Sequence, residues 1–269
     1  MRVGRHGLWF VPLAFLAVFF AYPLVSILGI GFAPDGKLDL TNLLEIASSS
    51  YYLRTLGFTL AQAVISTVLT LVLAVPGAFV FTHYRFPGRS IFSALAALPF
   101  VLPTVVVAAA FLALIGPRGM VNQALMSAFN LAQPPIQLER TLTIILLAHV
   151  FYNYGVAFRL ISAFWANRSL RIEEAARMLC ARGWRLWWYI RLPILRPALI
   201  AAATLVFIYT FTSFGVIVIL GGPRFATLEV EIYRQVANLF DLPVAAALSV
   251  IQIAFMFVAI GLYNRLEKR

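Results

Sequence analysis

Six stretches of the chain stay apolar for twenty or more residues, without the period-two alternation of a half-buried strand. They cover about residues 8–32, 56–81, 91–115, 142–165, 199–220 and 244–263. About 20 helical residues cross a bilayer core of about 30 Å, so each run is long enough to span. Inside a bilayer only helices and closed barrels satisfy the backbone, and barrel strands alternate lipid-facing and lumen-facing positions. Continuously apolar runs are therefore helices. Pro76, Gly77, Pro99, Pro103, Gly155 and Gly215 lie within them, as membrane helices tolerate. The first run could pass for a signal peptide, but it is long, contains Pro12 and Pro23, and lacks a small-residue cleavage pattern. The pattern predicts an all-α integral membrane protein of six transmembrane helices, with residues 1–269 as a single domain.

Composition removes the alternatives. Hydrophobic residues make up 62% of the chain and charged residues 12%, against about a quarter charged in soluble domains. A soluble enzyme, a disordered chain and a secreted disulfide scaffold are excluded. Cys180 is the single cysteine, so no internal disulfide forms.

The formal charge of +11 on a soluble protein would suggest nucleic acid, but here basic residues sit between apolar runs. The N-terminus, the 83–89 turn, the 166–197 loop and the C-terminus carry 14 of them, and the three alternate segments carry 6. By the positive-inside rule both termini and the 166–197 loop are expected in the cytoplasm. No nucleic-acid partner is expected. Membrane lipid is.

The 166–197 loop is too long and too patterned for a connector. Residues 170–181 read as a short helix with Glu173 and Glu174 in its first turn, favourable for the helix dipole. Glu173 is spaced to pair with Arg177, which leaves Glu174 for a group outside the chain. Ala175 and Ala176 keep the helix surface thin for a close approach. Gly183 is expected to end the helix. Trp184, Trp187, Trp188 and Tyr189, interleaved with arginines, suit the headgroup level. Pro193 and Pro197 are expected to break the chain before the fifth span.

Glu174-Ala175-Ala176 followed by Ile190-Arg191-Leu192-Pro193 resembles the cytoplasmic motif of binding-protein-dependent ABC importer permeases. That pattern is Glu-Ala-Ala, three residues, Gly, nine residues, Ile-x-Leu-Pro. The intervals fit throughout, with Cys180 standing where the glycine is expected and Gly183 able to supply a turn three residues later. Residues 114–122, 148–159 and 220–233 further resemble the iron(III)/thiamine group of these permeases.

The resemblance implies a type I ABC importer permease fold in the cytoplasmic membrane of a bacterium or archaeon. It makes the 166–197 loop a coupling element for a cytoplasmic ATPase dimer, through Glu173, Glu174, Ala175, Ala176, Cys180, Gly183, Ile190, Leu192 and Pro193. It also implies a second permease half, identical or homologous, and an extracytoplasmic solute-binding protein. The solute would be iron(III), thiamine or another small charged species such as a phosphonate or polyamine.

Other chemistry is scarce. The chain contains no Gly-x-x-x-x-Gly-Lys-Ser/Thr stretch, so a P-loop for ATP is not expected here, nor a cofactor. His6, His83 and His149 lack metal-ligand spacing. No catalytic pair stands out, so the chain is not expected to be an enzyme.

Polar residues inside spans are costly, which makes Thr104, Tyr152, Asn153, Tyr209, Thr212 and Ser213 candidates for a translocation path. Helix–helix hydrogen bonding is the alternative for each. Arg224, Glu229, Glu231 and Arg234 either face solvent or meet the solute-binding protein. The rival function is an ion-driven secondary transporter or channel subunit. That reading calls for ionisable residues at the bilayer midplane and inverted repeats, whereas no span contains an acidic residue.

Overall fold

The computed structural model describes residues 4–33, 37, 39–168 and 170–267. Among these, all regular structure is helical: α1 (Gly4–Leu16), α2 (Tyr22–Phe32), α3 (Thr41–Ser48), α4 (Ser50–His83), α5 (Arg89–Val101), α6 (Thr104–Ile115), α7 (Met120–Phe129), α8 (Leu142–Arg168), α9 (Leu170–Met178), α10 (Gly183–Leu186), α11 (Leu192–Phe211), α12 (Gly215–Leu220), α13 (Leu228–Arg234) and α14 (Leu242–Glu267). Six helical stretches are long and apolar enough to cross a membrane: Trp9–Phe32, Ser50–His83, Thr104–Phe129, Leu142–Asn167, Gly183–Phe211 and Leu242–Leu266.

Three boundaries differ from the pattern, each for a proline or loop reason. The expected 91–115 run is two helices, because Pro103 pushes Leu102 out of helical geometry (φ −75°, ψ 143°). The apolar stretch of spanning length in this region starts at Thr104 and continues to Phe129. The 199–220 run is likewise interrupted at Thr212–Phe214, between α11 and α12. Pro193 and Pro197, in contrast, do not break the chain. A wide turn at Trp187–Arg191 carries the helical path across, with the Leu192 N–H bonding the Trp187 carbonyl five residues back. Pro193 follows directly in the first turn of α11, where the widened turn before it makes room for a residue that has no N–H to donate.

The chain forms two compact units. The first comprises Met1–Thr55 and Val230–Phe255, the second Leu56–Glu229 and Met256–Arg269. In the first unit Gly31 of α2 lies against Ala246 of α14, where a Cβ would collide. There Glu231 is fully buried and accepts hydrogen bonds from Tyr51 Oη (2.8 Å), Arg234 Nη2 (2.9 Å) and Gln235 Nε2 (2.7 Å). Glu231 is thus an internal anchor and not the surface residue that its loop position suggested.

The core of the second unit is made by α4, α8 and α11. Ala74, Ala78, Ala157 and Ala202 let the helices approach, and Phe158, Ile161, Trp165, Leu195 and Val206 fill the space between them. Small residues at such crossings replace the hydrophobic drive that lipid does not supply. Many large apolar side chains point outward, Val101 and Trp9 among them, as a lipid-facing surface requires.

Candidate functional site

Two constellations collect the residues singled out by sequence, and both lie within the second unit. The first is built on α9. Its Glu173 is 2% exposed. Oε1 accepts a hydrogen bond from Trp165 Nε1 (3.0 Å), and Oε2 accepts two from Arg191, at Nε (3.0 Å) and Nη2 (2.9 Å). His83 Nε2 lies 3.2 Å from the same oxygen. Three elements therefore converge on one carboxylate: the end of α4, the end of α8 and the turn leading into α11. The Arg191 guanidinium lies over the Phe79 ring at 4.7 Å and the Trp187 ring at 5.0 Å, within cation–π range.

Burial pushes the Glu173 carboxyl up, but the hydrogen bonds from Trp165, Arg191 and His83 outweigh it and hold the group below its ordinary value. The expected Glu173–Arg177 pair is not what this carboxylate makes. A helical neighbour in water cannot compete with three donors in a buried pocket. Sequence reasoning missed Arg191 because it occupies the unspecified position between Ile190 and Leu192.

The outer face of α9 is different in kind. Glu174 and Ala175 are exposed, whereas Ala176 is buried and faces inward, so only one of the two alanines thins the surface. Met178 and Leu179 at the helix end are 86% and 85% exposed. Exposed apolar side chains beside a carboxylate form a surface suited to a partner.

The helix closes at Cys180 and not at Gly183. Cys180 has φ 62°, its N–H bonds the Arg177 carbonyl (3.0 Å), and the Ala181 N–H bonds the Ala176 carbonyl (3.0 Å). This is a Schellman closure with a cysteine at the left-handed position that normally takes glycine. Gly183 (φ +55°) instead opens α10. Ile190 belongs to the wide turn, and Leu192 and Pro193 to the first turn of α11.

The second constellation is a cavity of about 290 Å³ lined by Phe100, Thr104, His149, Tyr152, Asn153, Tyr209, Thr212, Ser213, Phe214, Gly215 and Val216. All six residues proposed for a path line it. The two helix breaks, after α5 and after α11, bring their polar side chains together with α8. Gly215 is needed here, because a Cβ would meet Thr104 Oγ1. Phe100 packs on Tyr152 and Tyr209, with ring centroids 5.6 and 5.2 Å apart. His149 bridges Ser66 (Nδ1 to Oγ, 3.4 Å) and Ser213 (Nε2 to Oγ, 2.9 Å). Phe100 and His149 were not legible as site residues, since aromatic residues are common in spans and a lone histidine has no partner in sequence.

Residues 71–269 match the family described as binding-protein-dependent transport system inner membrane component. The thiamine transport system permease protein ThiP of Haemophilus influenzae is 29% identical over 98% of this chain and 48% of its own length. ThiP of Brucella abortus is 33% identical over 76% of this chain and 38% of its own. A proposed 2-aminoethylphosphonate transport system permease protein, PhnU, of Salmonella paratyphi A is 26% identical over 98% of this chain and 92% of its own. The chain thus spans about half the length of the thiamine permeases it matches. In fold, it superposes with a TM-score of 0.81 on a chain from the crystal structure of a bacterial ABC transporter involved in import of the acidic polysaccharide alginate, at 17% identity and over 98% of this chain and 94% of that one. With the family profile covering most of its length, the chain belongs to the binding-protein-dependent transport system inner membrane components, the permease subunits of ABC importers.

Proposed function

We propose that this chain, acting as one permease domain, forms half of the solute pathway of an ATP-driven importer and couples that pathway to a cytoplasmic ATPase dimer. A second permease half completes the path, and an extracytoplasmic solute-binding protein delivers the solute. ATP hydrolysis belongs to the partner subunit. Both termini and the 166–197 loop face the cytoplasm, in keeping with the basic asymmetry. The names of the similar thiamine and 2-aminoethylphosphonate permeases support a small charged solute.

The observation that carries this reading is the two-sided nature of α9. One side is tied through Glu173 to α4, α8 and the base of α11. The other presents Glu174, Ala175, Met178 and Leu179 outward. A short helix fixed to three spans moves with them as a lever, so motion of an ATPase gripping its outer face reaches the pathway. Glu174 grips the ATPase, by facing a basic group across a partly desolvated groove. The test is co-purification and uptake in proteoliposomes for the parent complex and Glu174→Ala. The variant is expected to insert normally but to lose ATPase recovery and ATP-driven uptake. Unchanged uptake by Glu174→Ala would remove its assigned role. Uptake by the single polypeptide without an ATPase would replace the importer with an ion-driven transporter.

A further inference from the structure

Helix α11 has two faces of different character. Leu195, Ala198, Ala202 and Val206, three or four residues apart, are buried in the second unit. Leu192, Arg196, Leu199 and Ala203 repeat at the same spacing along another side, so they share one helical face. Together with Leu71 of α4, Leu266 of α14 and Trp188 of the wide turn, that face lines an open groove of about 590 Å³. From Leu192 to Ala203 the groove follows the helix for about 16 Å. That is the depth of one leaflet in a hydrocarbon core of about 30 Å.

One charge stands in this apolar wall. Arg196 is exposed, and its guanidinium makes no hydrogen bond or ion pair with the described residues. The indole N–H of Trp188, a residue 49% exposed, is likewise without an acceptor among them. The 20 residues of α11 measure about 30 Å, so with α11 across the core Arg196, the fifth of them, lies about 6 Å inside its edge. Helical side chains tilt toward the N-terminus, and an arginine stem reaches over that distance. The guanidinium is therefore aimed at the headgroups beside α10, with its methylene stem along the groove. A cation at this depth calls for a counter-charge. A second copy of this chain cannot bring one from its spans, because none of the six membrane-crossing stretches contains Asp or Glu. A zwitterionic headgroup brings a cation of its own, and no carboxylate among the described lining residues meets it.

We propose that this groove is a specific site for an anionic phospholipid, its phosphate held by Arg196 and Trp188 and one acyl chain laid along Leu192, Leu199 and Leu71. Guanidinium and phosphate pair through two parallel hydrogen bonds, and tryptophan at headgroup level has its N–H free to donate. A free phosphate would engage the charge and leave the apolar groove unfilled, whereas a lipid satisfies both. The site goes beyond solute import and does not depend on where the solute passes.

The test titrates dioleoyl phosphatidylglycerol and dioleoyl phosphatidylcholine, identical in their chains, into the delipidated permease–ATPase complex, with bound lipid read by native mass spectrometry. Phosphatidylglycerol is expected to saturate one site per chain with a Kd about tenfold lower than that of phosphatidylcholine. Arg196→Gln should bring the two lipids within about twofold of each other. Arg182→Gln, which removes an exposed charge outside the groove, should keep the preference. If Arg196→Gln fails to assemble, Ala203→Phe decides the matter by filling the groove away from the charge, and it should weaken phosphatidylglycerol by about tenfold. Equal binding of the two lipids overturns the proposal, as does a preference that survives Arg196→Gln or binding that survives Ala203→Phe. Displacement of the lipid by millimolar inorganic phosphate would make the site one for a soluble anion. Loss of a second permease subunit from the Arg196→Gln complex, with no lipid site in the parent, would give the groove to that subunit. Binding is read without ATP or solute, so the lipid site and the importer reading fail separately.

Discussion

Arg191 donates two hydrogen bonds, of 3.0 and 2.9 Å, to one carboxylate oxygen of Glu173, and both residues are at least 95% buried. This pair fixes α9 to the base of α11. Removing one member of a buried pair strands the other charge, at about 3–5 kcal/mol. Glu173→Ala is therefore expected to lower the melting temperature of the purified permease chain strongly. Glu174→Ala, which alters an exposed carboxylate, should lose the ATPase while the permease chain, purified alone, melts as the parent chain does. Equal melting of the two variants would show that the buried network does not hold α9.

The pH dependence of that attachment has a definite sign. The Glu173 carboxyl is held below its ordinary value of 4.5 in the folded chain, against burial, by Trp165, Arg191 and His83. A depressed carboxyl contributes stability that is fully present above the unfolded value and is lost as pH falls through the folded one. Hydrogen exchange of α9 should accordingly separate the parent from Glu173→Gln at pH 7. The two profiles should converge as the pH falls below about 4.5. A difference that does not shrink at all as the pH falls below the ordinary carboxyl value would argue that the charge of Glu173 is not what matters.

Cys180 holds the left-handed conformation at which a glycine is expected. A side chain with a Cβ costs roughly 1 kcal/mol more there than glycine does. Cys180→Gly should raise stability by about that amount, with ATPase recovery unchanged. A drop in stability would mean that the thiol makes contacts outweighing the backbone strain.

Gly155 of α8 lies against the Ala96 carbonyl and the Ala97 Cα of α5, so that an added methyl group would overlap backbone. Backbone cannot swing aside as a side chain end can. Gly155→Ala is expected to force α5 and α8 apart at about 1–3 kcal/mol, seen as a lower melting temperature and poorer recovery from membranes. Gly57→Ala, where the space around the Cβ is open, is the matched control and should be silent. Comparable losses in both would remove the packing argument.

Cys180 also serves as a native topology probe, because it is exposed and is the single cysteine. An impermeant maleimide is expected to label it only after cells are permeabilised. Ser48→Cys in a Cys180→Ala background, on the opposite side, should label in intact cells. The reversed pattern would invert the proposed orientation.

Sequence by itself determined what depends on solvent and period. Continuous apolar runs cannot be strands or soluble helices, so the all-α membrane class follows from hydropathy alone. The motif running from Glu174 to Pro193 was legible because its spacing is local. The polar residues that line the cavity were legible because a hydroxyl or amide in a span is conspicuous.

Tertiary structure decided whatever depends on partners distant in sequence. A helical wheel offers Glu173 only Arg177. The folded chain offers His83, Trp165 and Arg191, up to 90 residues away, and burial makes those bonds win. The breaks at Leu102–Pro103 and Thr212–Phe214 fall inside apolar runs, where hydropathy cannot see them. They are nevertheless what turns six scattered polar residues into the wall of one cavity. Even Cys180 follows this rule: its strained backbone is dictated by the closure of α9 and not by its own preference.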